Sequence, residues 1–502
     1  VTARRTSVAD PGTPPIVRPP ATPDALADHD EHDSFRDALA SVHKDGRRKW
    51  IYARQPAGRY YRARTWLSWV LLAFLFGAPF VQLNGHPLIL LDFLHRRFVV
   101  FGLVFWPQDF YLAVLLALTL LVTLALSTTA VGRIWCGWLC PQTVFMEMLF
   151  RKIEYLIDGS AAEQIRRDRA PRSLATAWRR VAKHAIFFAL SFAIANVFLA
   201  YLIGAPELWS IVTDPPSEHL VGLVAITVFS LLFYGVFARF REQACTLACP
   251  YGRVMSALID RHTLTVTYDH RRGEPRGHLQ RTTAATPATG DCVDCGQCVT
   301  VCPTGIDIRN GLQLECVNCT ACIDACDSVM TRIGRPTGLI RIASEEGIRT
   351  GVSHWLTGRV KAYGAIWLVL AATVTSLILL RPDLDVLILR QPGTLYSTLD
   401  DGAIANFYNV QVINRTNRTR TLEYRALAPA GASIMPLGPI TEAGPHALVE
   451  SRLLLKVPAP SVAGGSTPVR FEVRADGVTL DTIESSLIGP APAPAPGREA
   501  AR

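Results

Sequence analysis

Cys292-Val293-Asp294-Cys295-Gly296-Gln297-Cys298-Val299-Thr300-Val301-Cys302-Pro303 is followed by Cys316-Val317-Asn318-Cys319-Thr320-Ala321-Cys322-Ile323-Asp324-Ala325-Cys326-Asp327. Each run places three cysteines at two-residue intervals and a fourth after three, the spacing by which paired [4Fe–4S] clusters are held. The short intervals let the backbone wrap one cubane with three thiolates. The fourth thiolate comes from the other run, so each half closes its partner's site. The spacing predicts one ligand set of Cys292, Cys295, Cys298 and Cys326, and a second of Cys316, Cys319, Cys322 and Cys302. Structural zinc and disulfides explain the pattern less well. Zinc sites use Cys-x2-Cys pairs separated by a longer loop and do not need eight interlocked cysteines. Asp327, standing where the first run has Pro303, leaves the ligands unchanged.

Outward from these runs the chain reads as a membrane protein. Its 502 residues allow two or three domains, and 49% of them are hydrophobic. Mean hydropathy is +0.22. Five stretches are candidate spans, at 66–83, 110–131, 184–204, 219–238 and 364–380, the first of marginal length. It begins too late for a cleaved signal peptide. Two shorter apolar stretches, 87–94 and 98–105, read as interfacial. The net charge of +9 comes with basic residues flanking the spans, so membrane topology accounts for it, and no nucleic-acid motif appears. Residues 44–64 carry eight basic side chains and one acidic one, and 132–183 carry ten basic ones. Both stretches are expected in the cytoplasm. Parity then puts the cysteine-rich region inside and the C-terminus outside, and all 12 cysteines fall in the reducing compartment.

The expected organisation is a disordered tail at 1–43, a helical membrane bundle at 44–262, a cytoplasmic two-cluster ferredoxin-type domain at 263–345, and a linker with the fifth span at 346–385. An all-β immunoglobulin-like sandwich follows at 395–488, then a mobile Ala-Pro tail at 489–502. Thr263-Leu264-Thr265-Val266-Thr267-Tyr268-Asp269 alternates as a strand should, and 278–291 reads as a loop. In the sandwich, strands are expected at 405–413, 421–428, 450–457, 469–475 and 479–487, with Asp476-Gly477 as a hairpin turn.

The remaining four cysteines form a second repeat. Cys136-x3-Cys140-Pro141 follows the second span and Cys245-x3-Cys249-Pro250 follows the fourth. Met146 and Met255 each lie five residues past their proline and are expected to be core packing rather than ligands. Proline suits the first helical position, so Cys140 and Cys249 are expected near helix N-termini, where thiolate is favoured. Paired soft thiolates suit Cu(I) better than hard cations. Asp109, Asn196, His184 and His219 are assigned no role. Asp109 reads as hydrated at the membrane edge, and Asn196 as glue between helices.

Several runs resemble the cytochrome c oxidase accessory protein CcoG family, also called FixG or RdxA. They are Phe105-Trp106-Pro107-Gln108-Asp109, Gly132-Arg133 with 136–143, Arg241-Glu242-Gln243 with 245–251, Arg272-Gly273-Glu274-Pro275-Arg276-Gly277, Cys302-Pro303-Thr304-Gly305-Ile306-Asp307-Ile308-Arg309 and Cys326-Asp327. The resemblance covers roughly residues 50–488 and implies a cupric reductase of the bacterial inner membrane that serves assembly of the cbb3-type haem–copper oxidase. It implies that Cys136, Cys140, Cys245 and Cys249 are copper-facing and catalytic, with copper as substrate or transient ligand. The eight other cysteines would be the electron store, and the immunoglobulin-like domain periplasmic. Expected partners are membrane lipid, copper transport and oxidase assembly proteins and an electron donor of unspecified identity. A homodimer is compatible with this reading. Two rival functions fit the same residues: a quinol-oxidising relay of the membrane ferredoxin type, and a non-enzymatic scaffold for oxidase assembly.

Overall fold

The computed structural model describes residues 40–490, apart from 44, 46, 84, 95, 96, 172, 279–289, 394, 439 and 440. The expected tails fall mostly outside these residues, as does most of the loop expected at 278–291. Their inner ends do not. Val42 bridges Arg48, and Gly489 N–H donates to Gly465 O at 3.1 Å, so ordered structure begins before residue 43 and continues past 488.

Among the described residues, four helices are long and apolar enough to cross a membrane: Pro107–Val131, Leu174–Ile203, Leu220–Phe240 and Gly358–Leu379. The stretch expected at 66–83 is different. Its helix, Arg59–Gly77, opens on Arg59, Arg62 and Arg64. From Trp66 to Gly77 the apolar part rises about 18 Å at 1.5 Å per residue, short of a bilayer core of about 30 Å. The stretches at 87–94 and 98–105 are a small antiparallel sheet, Ile89–Asp92, Arg97–Val100 and Leu103–Phe105, closed around Leu90, Val99 and Val104. The β-branched and aromatic residues Ile89, Phe98, Val99, Val100, Val104 and Phe105 favour strands there.

The chain divides into two compact units. One holds Val1–Leu72, Leu124–Ser191 and Ser230–Ala362; the other holds Ala73–Thr123, Phe192–Phe229 and Tyr363–Arg502. The boundaries fall inside five helices: Arg59–Gly77, Phe110–Val131, Leu174–Ile203, Leu220–Gly235 and Gly358–Leu379.

The first unit carries every cysteine. Thr265–Tyr268 pairs antiparallel with Ile340–Ala343, and Val266 and Ile340 go into the core. Helices Gln297–Thr300 and Ala321–Arg332 pack under this pair, and Cys292, Cys298 and Cys326 belong to the same core as Ile323 and Met330. The helix Arg59–Gly77 starts against this domain. Asp324, 4% exposed, accepts from Tyr60 N–H at 3.2 Å and Tyr61 N–H at 2.7 Å. A carboxylate there satisfies amides that the first helical turn leaves open.

The second unit contains a two-sheet sandwich. One sheet runs in the order Ser433–Pro436, Leu448–Val457, Ile404–Asn414, Leu384–Arg390, with Ser397–Thr398 also on Ile404–Asn414. The other runs Glu442–Ala443, Arg420–Ala428, Ser466–Ala475, Val478–Ile488. Alternation does the sorting: Val469, Phe471 and Val473 are fully buried, while Arg470 and Glu472 between them are not. Asp476 and Gly477 have φ of +50° and +81°, as a two-residue hairpin turn of type I′ requires. All five expected strands are present. Leu384–Arg390, which pairs in register with Ile404–Asn414, starts the sandwich earlier than residue 395.

Candidate functional site

The eight cysteines of the ferredoxin pattern line two cavities. Cys292, Cys295, Cys298 and Cys326 line one. Cys302, Cys316, Cys319 and Cys322 line the other, and Cys298 also reaches its wall. The sequence rule of three near cysteines plus one from the opposite run therefore has a spatial counterpart. Burial pushes the thiols of Cys298, Cys316 and Cys326 up to about 12, and Cys319 up to about 11. Neighbouring sulfurs add to the rise. A protein-filled interior does not hold a set of bare thiolates at such a cost, and a cationic cluster core is the partner that removes it. The donor set and the cavities fit [4Fe–4S] groups.

The other four cysteines form two structurally equivalent hooks. Gly132 and Arg241 stand four residues before the first cysteine of each hook and have φ of +60° and +51°. Cys140 N–H donates to Trp135 O and Cys249 N–H to Ala244 O, both at 2.9 Å and both five residues back. Cys140 and Cys249 are extended, with φ/ψ of −63°/124° and −74°/113°, and each precedes a helix begun by proline. The proline ring disfavours helical backbone at the residue before it. Local π-helical turns, Val144–Phe150 after the first hook and Ala244–Ala248 within the second, reset the register.

The hooks meet. Tyr251 Oη lies 2.9 Å from Thr128 Oγ1. A Cβ on Gly252 would stand 2.7 Å from Cys245 O and 2.9 Å from an Arg133 guanidinium nitrogen. Charge on Cys245 is felt by Cys140, Cys136 and Cys249, so the four thiols share one neighbourhood. Arg133, 3% exposed, is the cation among them. Burial raises the Cys136 thiol, and Arg133 opposes that rise. Burial also raises Cys140, opposed by the backbone amides of Gln142 and Thr143. The helix start expected to favour thiolate at Cys140 is therefore present, but burial outweighs it. Cys245 is pushed up to about 12, first by burial.

The first hook also rests on the second cysteine run. A Cβ on Gly137 would fall 2.4 Å from Val317 O and 3.0 Å from Cys319 Cα. Trp138 Nε1–H donates to Asn318 O at 3.3 Å, and Arg64 Nε–H holds Gly137 O at 2.6 Å. Arg133 donates to Leu314 O. Below the second hook, Arg241 pairs with Glu154 at 2.8 Å and Arg48 with Glu242 at 2.8 Å, all largely buried. The guanidinium groups of Arg48 and Arg241 both lie over the Trp50 ring, at 4.4 Å and 4.9 Å from its centroid.

Met146 and Met255 are buried, at 3% and 8% exposure, which fits packing. Asn196 Nδ2–H donates to Phe192 O of its own helix at 2.8 Å. Asp109 is not hydrated. It is 3% exposed and pairs with Arg381 and, at 3.0 Å, with Arg415. His184 Nδ1 lies 2.8 Å from Tyr234 Oη, and His219 Nε2 lies 3.1 Å from Asp214. The site residues that sequence reasoning passed over are Arg133, Gly137, Asn318 and Arg64. Gly137, lying between the two cysteines of a hook, was a readable signal of close backbone approach.

Residues 240–345 match the family model for a 4Fe-4S dicluster domain, and 112–158 match that for a 4Fe-4S binding domain. Residues 374–490 match the model for the Ig-like fold at the C-terminal of FixG. Protein RdxA of Cereibacter sphaeroides is 36% identical over 402 residues, covering 77% of this chain and 83% of its own. Protein RdxB of the same organism is 35% identical, covering 77% and 84%. Nitrogen fixation protein FixG of Rhizobium meliloti is 34% identical over 438 residues, covering 79% and 83%. With this identity over most of both lengths, and with the cysteine cavities and the sandwich in place, the chain is an iron–sulfur electron-transfer protein belonging to the FixG/RdxA family.

Proposed function

We propose that this protein reduces Cu(II) to Cu(I) at the four thiols of its two hooks, in support of cbb3-type oxidase assembly. The observation that carries the reading is the backbone contact of Gly137 with the loop Val317–Cys319, which joins a soft-ligand site to a cluster cavity. Cys292, Cys295, Cys298 and Cys326 would hold one cluster and Cys302, Cys316, Cys319 and Cys322 the other. When bound, these groups supply one-electron exchange without proton transfer. The chain's own residues do the rest. Cys136, Cys140, Cys245 and Cys249 offer soft sulfur, which favours Cu(I) over Cu(II). Arg133 offsets negative charge as thiolates form. The buried Arg241–Glu154 and Arg48–Glu242 pairs hold the second hook. Each Cu(II) takes one electron and becomes Cu(I), and a low-potential one-electron donor is oxidised by one electron.

The basic residues at 44–64 and 132–183 support a topology with the clusters in the cytoplasm and the immunoglobulin-like domain in the periplasm. Copper transport and oxidase assembly proteins are the partners this reading implies. The test is the full-length protein with Cys136, Cys140, Cys245 and Cys249 all changed to Ala. Iron content should match wild type, while dithionite-driven Cu(II) reduction, followed with a Cu(I) chelator, should be lost. Normal copper reduction by that variant removes the assignment.

A further inference from the structure

The two cysteine runs share a backbone path but not an environment. In the first run, nothing lies within 4 Å of a Cβ placed on Gly296, and Cys295 is exposed. In the second, the segment 314–319 is held from five positions on or just before one hook. Asn318 Nδ2–H donates to Val131 O at 3.3 Å, and a Cβ on Gly132 would stand 2.7 Å from Asn318 Nδ2. Arg133 bonds Leu314 O, Gly137 abuts Val317 O, and Trp138 holds Asn318 O. Most of these contacts reach the main chain of the segment, which cannot yield by a rotamer change.

We infer that the first hook is a lid on the second cluster cavity, with Gly137 and Trp138 as positioning residues that set the redox environment of Cys302, Cys316, Cys319 and Cys322 independently of the other cavity. The inference rests on the reading that both cavities hold clusters, but not on copper. Its physics is the orientation of one peptide. The Asn318–Cys319 peptide is planar and trans, so fixing its carbonyl toward Trp138 turns the Cys319 N–H away from the hook. Cys319 lines the cavity. Cluster potentials depend on hydrogen bonds to sulfur and on access of water, and the hook bears on both through the loop that carries Cys316 and Cys319. At the corresponding position of the first run Cys295 is exposed, where Cys319 is partly covered.

The experiment is an anaerobic redox titration of the full-length protein in detergent, followed by electron paramagnetic resonance, with iron analysis alongside. Wild type should show two cluster signals. Cys295→Ser identifies the signal of the first cavity by moving it. Gly137→Ala, which forces a collision with main-chain atoms, should move the midpoint potential of the other signal and leave the first in place. Trp138→Phe keeps the ring, removes only the indole donor, and should move the same signal by less. A Gly137→Ala protein that retains about four of about eight irons, with only the first signal present, also supports the lid. If Gly137→Ala fails to accumulate, Trp138→Phe decides alone. Unchanged potentials in a fully loaded variant, or equal movement of both signals, overturn the inference. Wild-type protein that carries iron but does not reduce Cu(II) would defeat the proposed reaction while leaving these titrations readable.

Discussion

Cys292–Cys298 and Cys316–Cys322 trace one backbone path in two settings. Their third residues, Asp294 and Asn318, have φ of +50° and +52°, and their fifth, Gly296 and Thr320, +63° and +64°. Val293 and Val317 are both buried. Yet Asn318 is 5% and Thr320 1% exposed, while the side chain of Asp294 is 42% exposed. The shared conformation shows that cluster-binding geometry is local. The difference shows that solvent access is not local, because it depends on whether the hook after the second span reaches the loop.

The largest expected effect that would sharpen this comparison is on loading. Cys295→Ala and Cys319→Ala should each lower iron from about eight to about four per chain. An added small thiol such as 2-mercaptoethanol should restore iron during anaerobic reconstitution of the first variant far more than of the second, because Cys295 is exposed while Cys319 is partly covered and backed by the hook. Equal rescue of both would remove the distinction. Next in size is stability. Asn318→Ala leaves Val266 N–H, at 3.3 Å, and Val131 O without the partner they have. The expected cost is about 1–3 kcal/mol for buried groups left unpaired. Asp294→Ala loses an exposed contact with Arg309, which keeps Asp307 at 2.7 Å, and should cost below about 1 kcal/mol beyond the backbone term common to both. Thermal unfolding of loaded protein in detergent compares them, and an equal loss would mean the buried loop gains nothing from its clamp. The smallest effect is Gly296→Ala. No atom obstructs the new Cβ, so only the left-handed backbone resists it, at about 1–2 kcal/mol. A substantially larger loss would show that the first loop is crowded after all.

Much of this was legible beforehand, and for identifiable reasons. The two cysteine runs could be read because ligand spacing on a wrapped backbone is set by covalent geometry. The sandwich strands could be read because burial alternates with period two, as at 466–475. The hooks could be paired because Cys-x3-Cys-Pro occurs twice, and the structure adds positive φ four residues before each. Among the readings that were too simple, two turned on contacts distant in sequence. The helix Arg59–Gly77 takes its N-terminal support from Asp324, distant in sequence, so its limits do not follow its hydropathy. Asp109 reads as a hydrated edge acid until Arg381 and Arg415 arrive from about 270 and 300 residues away.

The sequence by itself determined which cysteines can share a cluster, which segments are apolar enough to span a membrane and where the β sandwich lies, because spacing and periodicity are properties of the chain. Only the tertiary structure decided that one cluster loop is roofed by Gly137 and Trp138 while its twin faces water, and that Arg133 lies among the four hook thiols. Those outcomes depend on contacts between residues more than a hundred positions apart, and no local pattern encodes such a meeting.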